Sequence, residues 1–255
     1  MTLLHSQVKG QGPPLVVLHG LLGMSDNWKT HAKAWAAHFE VHLLDLRNHG
    51  RSFHSDTFSY PDMVADLEYY VSHHNLQPFV LLGHSMGGKL AMWYATTYPQ
   101  RVQKLIVADM APRAYPVHHQ TILTGLMDLH QNHPSSRQEA DNRLATYVPD
   151  GPTRQFLLKN LMRTAPDRLA LRPNVLVLQQ EIEQVMEALP DENSYAGPTL
   201  FVRGENSDYV QPQDHPQIYA QFPQAQIHTL ARAGHWLHAE NPMDFAATIQ
   251  EFIGF

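Results

Sequence analysis

Gly83-His84-Ser85-Met86-Gly87 sets a serine between two glycines, after an apolar run from Phe79 to Leu82 and before a helix-like run from Lys89 to Thr97. An apolar run of this length reads as a buried strand, so the pattern Gly-x-Ser-x-Gly marks a sharp strand-to-helix turn. Such a turn forces the residue at its apex into a strained conformation, and glycine at 83 and 87 leaves room for the chain to pass close to itself. The Ser85 hydroxyl is then presented at the carboxyl end of a sheet. The helix that follows aims its unpaired amino-terminal N–H groups at any anion forming there. These are the physical requirements of a nucleophilic serine.

The rest of the chain supplies the sheet this turn needs. Leu3 to Val8 and Leu15 to Leu18 read as strands separated by Gly10-Gln11-Gly12-Pro13-Pro14. Asn27 to Phe39 reads as an amphipathic helix carrying Trp28 and Trp35, Val41 to Leu44 as a strand, and Pro61 to His74 as a helix with Met63, Leu67, Tyr70 and Val71 on one side. Leu105 to Ala108 is the next strand. Strands alternating with helices at this spacing predict right-handed crossovers and a mostly parallel, doubly wound α/β sheet, with its site at the carboxyl ends of the strands. The alternation stops between Pro112 and Asn193, where Thr121 to His130, Arg137 to Thr146, Thr153 to Thr164 and Asn174 to Leu189 read as helices divided by prolines. It resumes with strands at 198–204 and 226–230 and a terminal helix from Pro242 to Ile253. The expected organisation is a core of residues 1–111 and 196–255, with residues 112–195 inserted as a helical cap.

Composition narrows the function. The 255 residues are 43% hydrophobic, enough for one substantial core, and carry a formal charge of −6 with no Lys/Arg-rich run, which argues against a nucleic-acid partner. The chain contains no cysteine, so disulfides and thiolate metal sites are excluded, and its 18 histidines are scattered without a metal-binding spacing. No metal is expected. The amino terminus lacks the features of a secretory signal and no stretch is apolar for long enough to span a bilayer, so a cytoplasmic protein without membrane insertion is the expectation.

A serine at neutral pH needs a base, and the base needs a group to hold its tautomer. His235, in the Ala233-Gly234-His235-Trp236 loop after the last strand, completes the chain order serine, acid, histidine. His84 adjoins Ser85 on a tight turn whose side chains diverge, and reads as packing support. Two acids compete. Asp208 follows the strand ending at Gly204, where the acid commonly arises, but is displaced by one position because Ser207 occupies the expected place; Asp109 ends the strand expected beside that of Ser85. Ser207 can then bond the acid or the imidazole. His19-Gly20-Leu21-Leu22-Gly23 ends a strand in glycines, which assigns Leu21 N–H, with Met86 N–H, to an oxyanion hole. Asp45 to Ser52 reads as a braced supporting loop.

Together, Gly83-His84-Ser85-Met86-Gly87-Gly88, His19-Gly20, Asp45 to Ser52, Asp109 before Ala111-Pro112, Gly204-Glu205-Asn206-Ser207 and Gly234-His235-Trp236 resemble the YbfF-type esterases of the α/β-hydrolase superfamily. The similarity covers both ends of the sheet domain. It implies an α/β-hydrolase fold, a triad of Ser85, His235 and Asp109 with Ser207 at the usual acid position, and hydrolysis of carboxylic esters and acyl-CoA thioesters without a cofactor. The chain departs from that pattern in also carrying Asp208.

The expected partner is a small acyl ester or thioester, met by Trp28, Tyr209 and Trp236. Ile122, Leu123, Leu126, Met127, Phe156, Leu157, Leu161 and Met162 are candidates for an apolar acyl pocket, or simply for packing of cap on core. Arg137, Arg143, Arg154, Lys159, Arg163 and Arg168 give the cap a cationic excess suited to a CoA phosphate or to a solvated surface. A carbon–carbon bond hydrolase or perhydrolase would use the same three residues. A non-catalytic ligand-binding receptor of this fold would have no need of an intact serine and histidine.

Overall fold

The computed structural model describes residues 2–254. In chain order the elements are β1 (Ser6–Lys9), β2 (Pro14–Leu18), α1 (Lys29–Trp35), β3 (Glu40–Leu44), α2 (Tyr60–His73), β4 (Phe79–His84), α3 (Met86–Thr97) and β5 (Val102–Ala108). There follow α4 (Gln120–Asn132), α5 (Arg137–Leu144), α6 (Gly151–Leu158), β6 (Leu161–Ala165), β7 (Arg168–Leu171) and α7 (Val175–Gln180). The chain closes with β8 (Thr199–Gly204), α8 (His215–Gln221), β9 (Ala225–Leu230), α9 (Leu237–Glu240) and α10 (Pro242–Ile253).

Seven strands form one sheet in the order β1-β3-β2-β4-β5-β8-β9, parallel throughout except for the antiparallel edge pair β1 and β3. The alternation of side chains along each strand divides the core in two. Leu15, Val17, Val80, Leu82, Ile106 and Ala108 meet Trp28, Trp35, Phe245 and Ile249 on one face. Val16, Leu18, Leu81 and Val107 meet Leu67, Tyr70, Leu90 and Tyr94 on the other. Central strands buried on both faces need continuous apolar runs, which is why β2, β4 and β5 are built from Val, Leu and Ile. Each such side chain taken from water contributes on the order of 2 kcal/mol before the entropy of ordering is counted.

Helix limits follow local chemistry. Ser59 caps α2 by accepting from Asp62 N–H, and Asn241 caps α10 by accepting from Asp244 N–H. Gly254, at φ 84°, ends α10 in the left-handed conformation that glycine adopts without penalty. The helix expected over 27–39 begins as a 3₁₀ turn at Ser25–Trp28 and ends at Trp35. The first strand is Ser6–Lys9, displaced from the expected Leu3 to Val8.

The segment between β5 and β8 differs most from expectation. The helix expected from Thr153 to Thr164 stops at Leu158, and the chain turns through Pro166-Asp167 to form the antiparallel hairpin β6–β7. Leu169 and Leu171 alternate with more exposed neighbours and enter the core, a strand period rather than a helical one. The helix expected from Asn174 to Leu189 divides into α7 and a 3₁₀ turn, Ile182–Met186. Buried Lys89 of α3 ties the base of this segment, its ammonium donating to the carbonyls of Pro112 (3.0 Å), Arg113 (2.5 Å) and Glu187 (2.9 Å). No helix among the described residues is long and apolar enough to cross a membrane.

Candidate active site

Ser85 sits at the junction of β4 and α3 with φ 53° and ψ −124°, a strained combination for any residue with a side chain. The close approach needs glycine on both sides. A Cβ at position 83 would lie 2.0 Å from Gly87 O, and one at position 87 would lie 2.5 Å from His19 O. The turn therefore packs directly against the loop that follows β2.

Three side chains from distant parts of the chain converge there. His235, in the loop between β9 and α9, lies with Nε2 2.9 Å from Ser85 Oγ and Nδ1 2.7 Å from Asp109 Oδ2. Asp109 follows β5 with φ 51°, is fully buried, and also accepts from Gly204 N–H through Oδ1 at 3.0 Å and from the Ser207 hydroxyl through Oδ2. With Nδ1–H donated to the carboxylate, Nε2 is left as the acceptor facing the serine hydroxyl. Asp208 lies outside this arrangement: it is exposed, and its carboxylate accepts from Gln211 at 3.3 Å. The Tyr209 ring stacks on the His235 imidazole at 3.7 Å and 15°.

His84 does more than pack. Its Nε2–H donates to the backbone carbonyl of His235 at 2.8 Å, fixing the loop that carries the imidazole. Burial, with two neighbouring imidazoles, holds its pKa well below that of a free histidine, so it remains a neutral donor. Trp28 is buried and stacks against His238 at 4.4 Å, whereas Trp236 meets Phe156 at 5.0 Å with the rings tilted by 36°.

The loop after β2 passes beside the serine, a Cβ placed on Gly20 lying 3.2 Å from Ser85 Cβ. Gly20 to Gly23 form a turn closed by Gly23 N–H to Gly20 O at 2.9 Å. The N–H groups of Leu21 and Met86 make no hydrogen bond among the described residues, so two donors are free at adjacent backbone segments.

Two neutral histidines set this loop. His19 donates Nδ1–H to Gly20 O and accepts Leu46 N–H; His49 donates Nδ1–H to Arg47 O and accepts Leu22 N–H at 3.0 Å. Burial lowers the His49 pKa to about 3, which preserves the lone pair this bridge requires. The 45–52 loop is itself braced: Asp45 accepts from Ser25 N–H and Arg51 N–H, and Arg47 grips Asp66 through two nitrogens at 2.5 and 2.9 Å.

A cavity of about 880 Å³ opens over Ser85. Trp28, Tyr209 and Trp236 line it, together with Ile122, Phe156 and Leu157 of the segment between β5 and β8. Leu123 and Leu126 are instead buried in the core. Among the six cationic residues named above, Arg143 and Arg154 pair with local carboxylates and Arg137 and Arg163 bond local carbonyls. Lys159 alone of the six lines the cavity. The roles of His84, His19 and His49 carry no periodic sequence signal; only their position at strand ends beside glycines hinted at them.

Residues 13–242 match the family model of the alpha/beta hydrolase fold. The sn-1-specific diacylglycerol lipase ABHD11 of Mus musculus is 39% identical over 249 residues, spanning 94% of this chain and 81% of the mouse protein. Esterase YbfF of Escherichia coli K12 is 32% identical over 251 residues, 97% of this chain and 96% of the bacterial protein. A solved structure titled marine microorganism esterase has a TM-score of 0.94 at 38% identity, covering 99% of this chain and all of that one.

Proposed function

The chain belongs to the alpha/beta hydrolase fold family, and from that premise we propose that it is a serine hydrolase cleaving carboxylic esters through an acyl-enzyme on Ser85. One observation carries the reading: the unbroken chain of hydrogen bonds from Ser85 Oγ through His235 to Asp109, at the floor of a largely apolar cavity. The named relatives are esterases and lipases, which supports the same chemistry.

Ser85 Oγ attacks the ester carbonyl carbon while its proton passes to His235 Nε2, and the carbonyl oxygen becomes an oxyanion. Leu21 N–H and Met86 N–H receive that charge. A donor in such a hole is worth roughly 3 kcal/mol of barrier. His235 then delivers the proton to the departing alkoxide as the carbon–oxygen bond breaks. Water enters, gives a proton to the same nitrogen and attacks the acyl carbon; Ser85 leaves with the proton restored. Asp109 holds the imidazole in the productive tautomer and offsets the charge it gains in each transition state.

Residues 112–195 act as a lid that shapes the acyl cavity, Phe156 of the lid joining Trp28, Tyr209 and Trp236 in its lining. Acyl-CoA thioesters are a second class open to the same attack, favoured by Lys159 at the cavity. The decisive experiment combines fluorophosphonate labelling of the folded protein with hydrolysis of an acyl-chain series, offered both as aryl esters and as CoA thioesters. An adduct on Ser85 and turnover lost in Ser85→Ala support the reading. No adduct, or turnover unchanged in Ser85→Ala, refutes it.

A further inference from the structure

Leu22 adopts φ 60°, the left-handed region that a branched aliphatic residue rarely enters, at the third position of the Gly20–Gly23 turn. A glycine or asparagine usually occupies such a position. The strained residue is held on both sides: Leu22 N–H donates to His49 Nε2 at 3.0 Å, and Leu22 O accepts from Asn160 Nδ2 at 2.8 Å. Asn160 lies 138 residues away, between α6 and β6, and is itself fixed, its N–H donating to Leu157 O and its O accepting from Arg172 N–H. It is 1% exposed, and its Oδ1 is buried with no partner, so its side chain makes no hydrogen bond among the described residues other than that to Leu22. The orientation of the amide is dictated by chemistry, because only the NH₂ end can face a carbonyl.

We propose that Asn160 is a positioning residue that clamps strained Leu22 through its carbonyl, so that the segment between β5 and β8 sets the geometry of the turn that carries the oxyanion donor. The inference rests on the acyl-enzyme reading above. Releasing Leu22 O frees the turn to relax out of the left-handed conformation, which rotates the adjoining Leu21 N–H away from the oxyanion. Ground-state binding in the cavity is largely untouched, so the loss falls on kcat rather than KM.

The test is a double-mutant cycle of Asn160→Leu and Leu22→Gly, read as kcat and KM on a short-chain aryl ester. Rates are normalised to Ser85 sites titrated to completion with fluorophosphonate, so that only folded protein counts. Asn160→Leu is expected to lower kcat about tenfold with KM within about twofold, a fraction of what losing the donor outright would cost. Glycine enters the left-handed region without strain, so in the Leu22→Gly background the same substitution is expected to change kcat by less than about twofold. A purely structural Asn160 would shift the melting temperature and leave kcat per titrated site unchanged, which would overturn the proposal. So would an equal kcat loss in both backgrounds. If Asn160→Leu does not fold, Asn160→Ala completes the same cycle. A wild-type chain without turnover overturns both readings, whereas wild-type turnover beside an unaffected Asn160→Leu overturns this one alone.

Discussion

Replacing Asp109 by asparagine tests the role of the buried carboxylate, and the surrounding donors dictate how the new amide must sit. Gly204 N–H points at Oδ1, so that position has to remain an oxygen. The amide NH₂ is thereby forced into the place of Oδ2, facing His235 Nδ1 and Ser207 Oγ. An N–H donor there can be met only by an unprotonated Nδ1, which moves the imidazole proton to Nε2, opposite the serine hydroxyl. The base then faces the nucleophile in the wrong tautomer while the fold is kept. In serine proteases the same inversion lowers kcat about 10⁴-fold, equivalent to roughly 5.5 kcal/mol of barrier. Asp109→Asn is therefore expected to lose about four decades of kcat on an aryl ester, with circular dichroism and thermal melting close to wild type. Asp208→Asn should remain within about twofold, since exposed substitutions away from a site change little. Retention of a tenth of wild-type turnover by Asp109→Asn, or its loss in Asp208→Asn, would refute the assignment of the acid.

Ser207→Ala removes one of the donors on Asp109 and should lower kcat by about tenfold, the lower end of what one hydrogen bond to a charged group is worth, with KM unchanged in steady-state assays. His49 links the oxyanion loop to pH: its folded pKa of about 3 lies below the unfolded value, so its contribution to stability is complete above about pH 6.5 and is lost as pH falls toward 3. At pH 5 the loss from this one imidazole is about 2 kcal/mol relative to pH 8, seen as a lower urea midpoint; a His49→Gln variant with the same pH slope as wild type would contradict it. Phe156→Ala opens the cavity where that ring meets Trp236, and should move the preferred acyl chain to greater length in a p-nitrophenyl ester series. An unchanged preference would place the acyl group elsewhere.

The sequence makes the serine turn legible because its strand, turn and helix lie within residues 79–97; the need for glycine at 83 follows from contacts inside that stretch, and that at 87 from the close approach of Leu18 and His19. His235 was legible from chain order. The acid was harder, since Asp109 and Asp208 both end a strand region and only the direction of the side chain separates them. That direction is set by the left-handed backbone of Asp109 and by donors from Gly204 and Ser207, a constellation that exists only once β5 and β8 are paired. The hairpin β6–β7 is masked in the sequence because Phe156, Leu157, Leu161 and Met162 mimic a helical stripe, while the turn at Pro166-Asp167 and the alternation of Leu169 and Leu171 carry the opposite signal over fewer residues.

The same hairpin makes a connection that a helix over these residues would not contain. A helix running through Thr164 would leave Asn160 as one more polar residue on a solvated face, whereas the hairpin buries it and ties its carbonyl to Arg172 N–H. Its amide then reaches the carbonyl of Leu22, the residue held in the left-handed region beside Ser85. His49 holds the N–H of the same residue, and does so as a neutral acceptor only because the braced 45–52 loop keeps it out of water. The turn beside Ser85 is thus shaped by two residues that no local pattern singles out, one from each side of the sequence, and neither touches the serine. Sequence periodicity reports which faces are buried; it says nothing about a single amide whose partner is a backbone carbonyl across the fold. The turn at Ser85 is written in its own neighbourhood, but the precision of the proposed oxyanion site rests on packing between the sheet and the segment between β5 and β8.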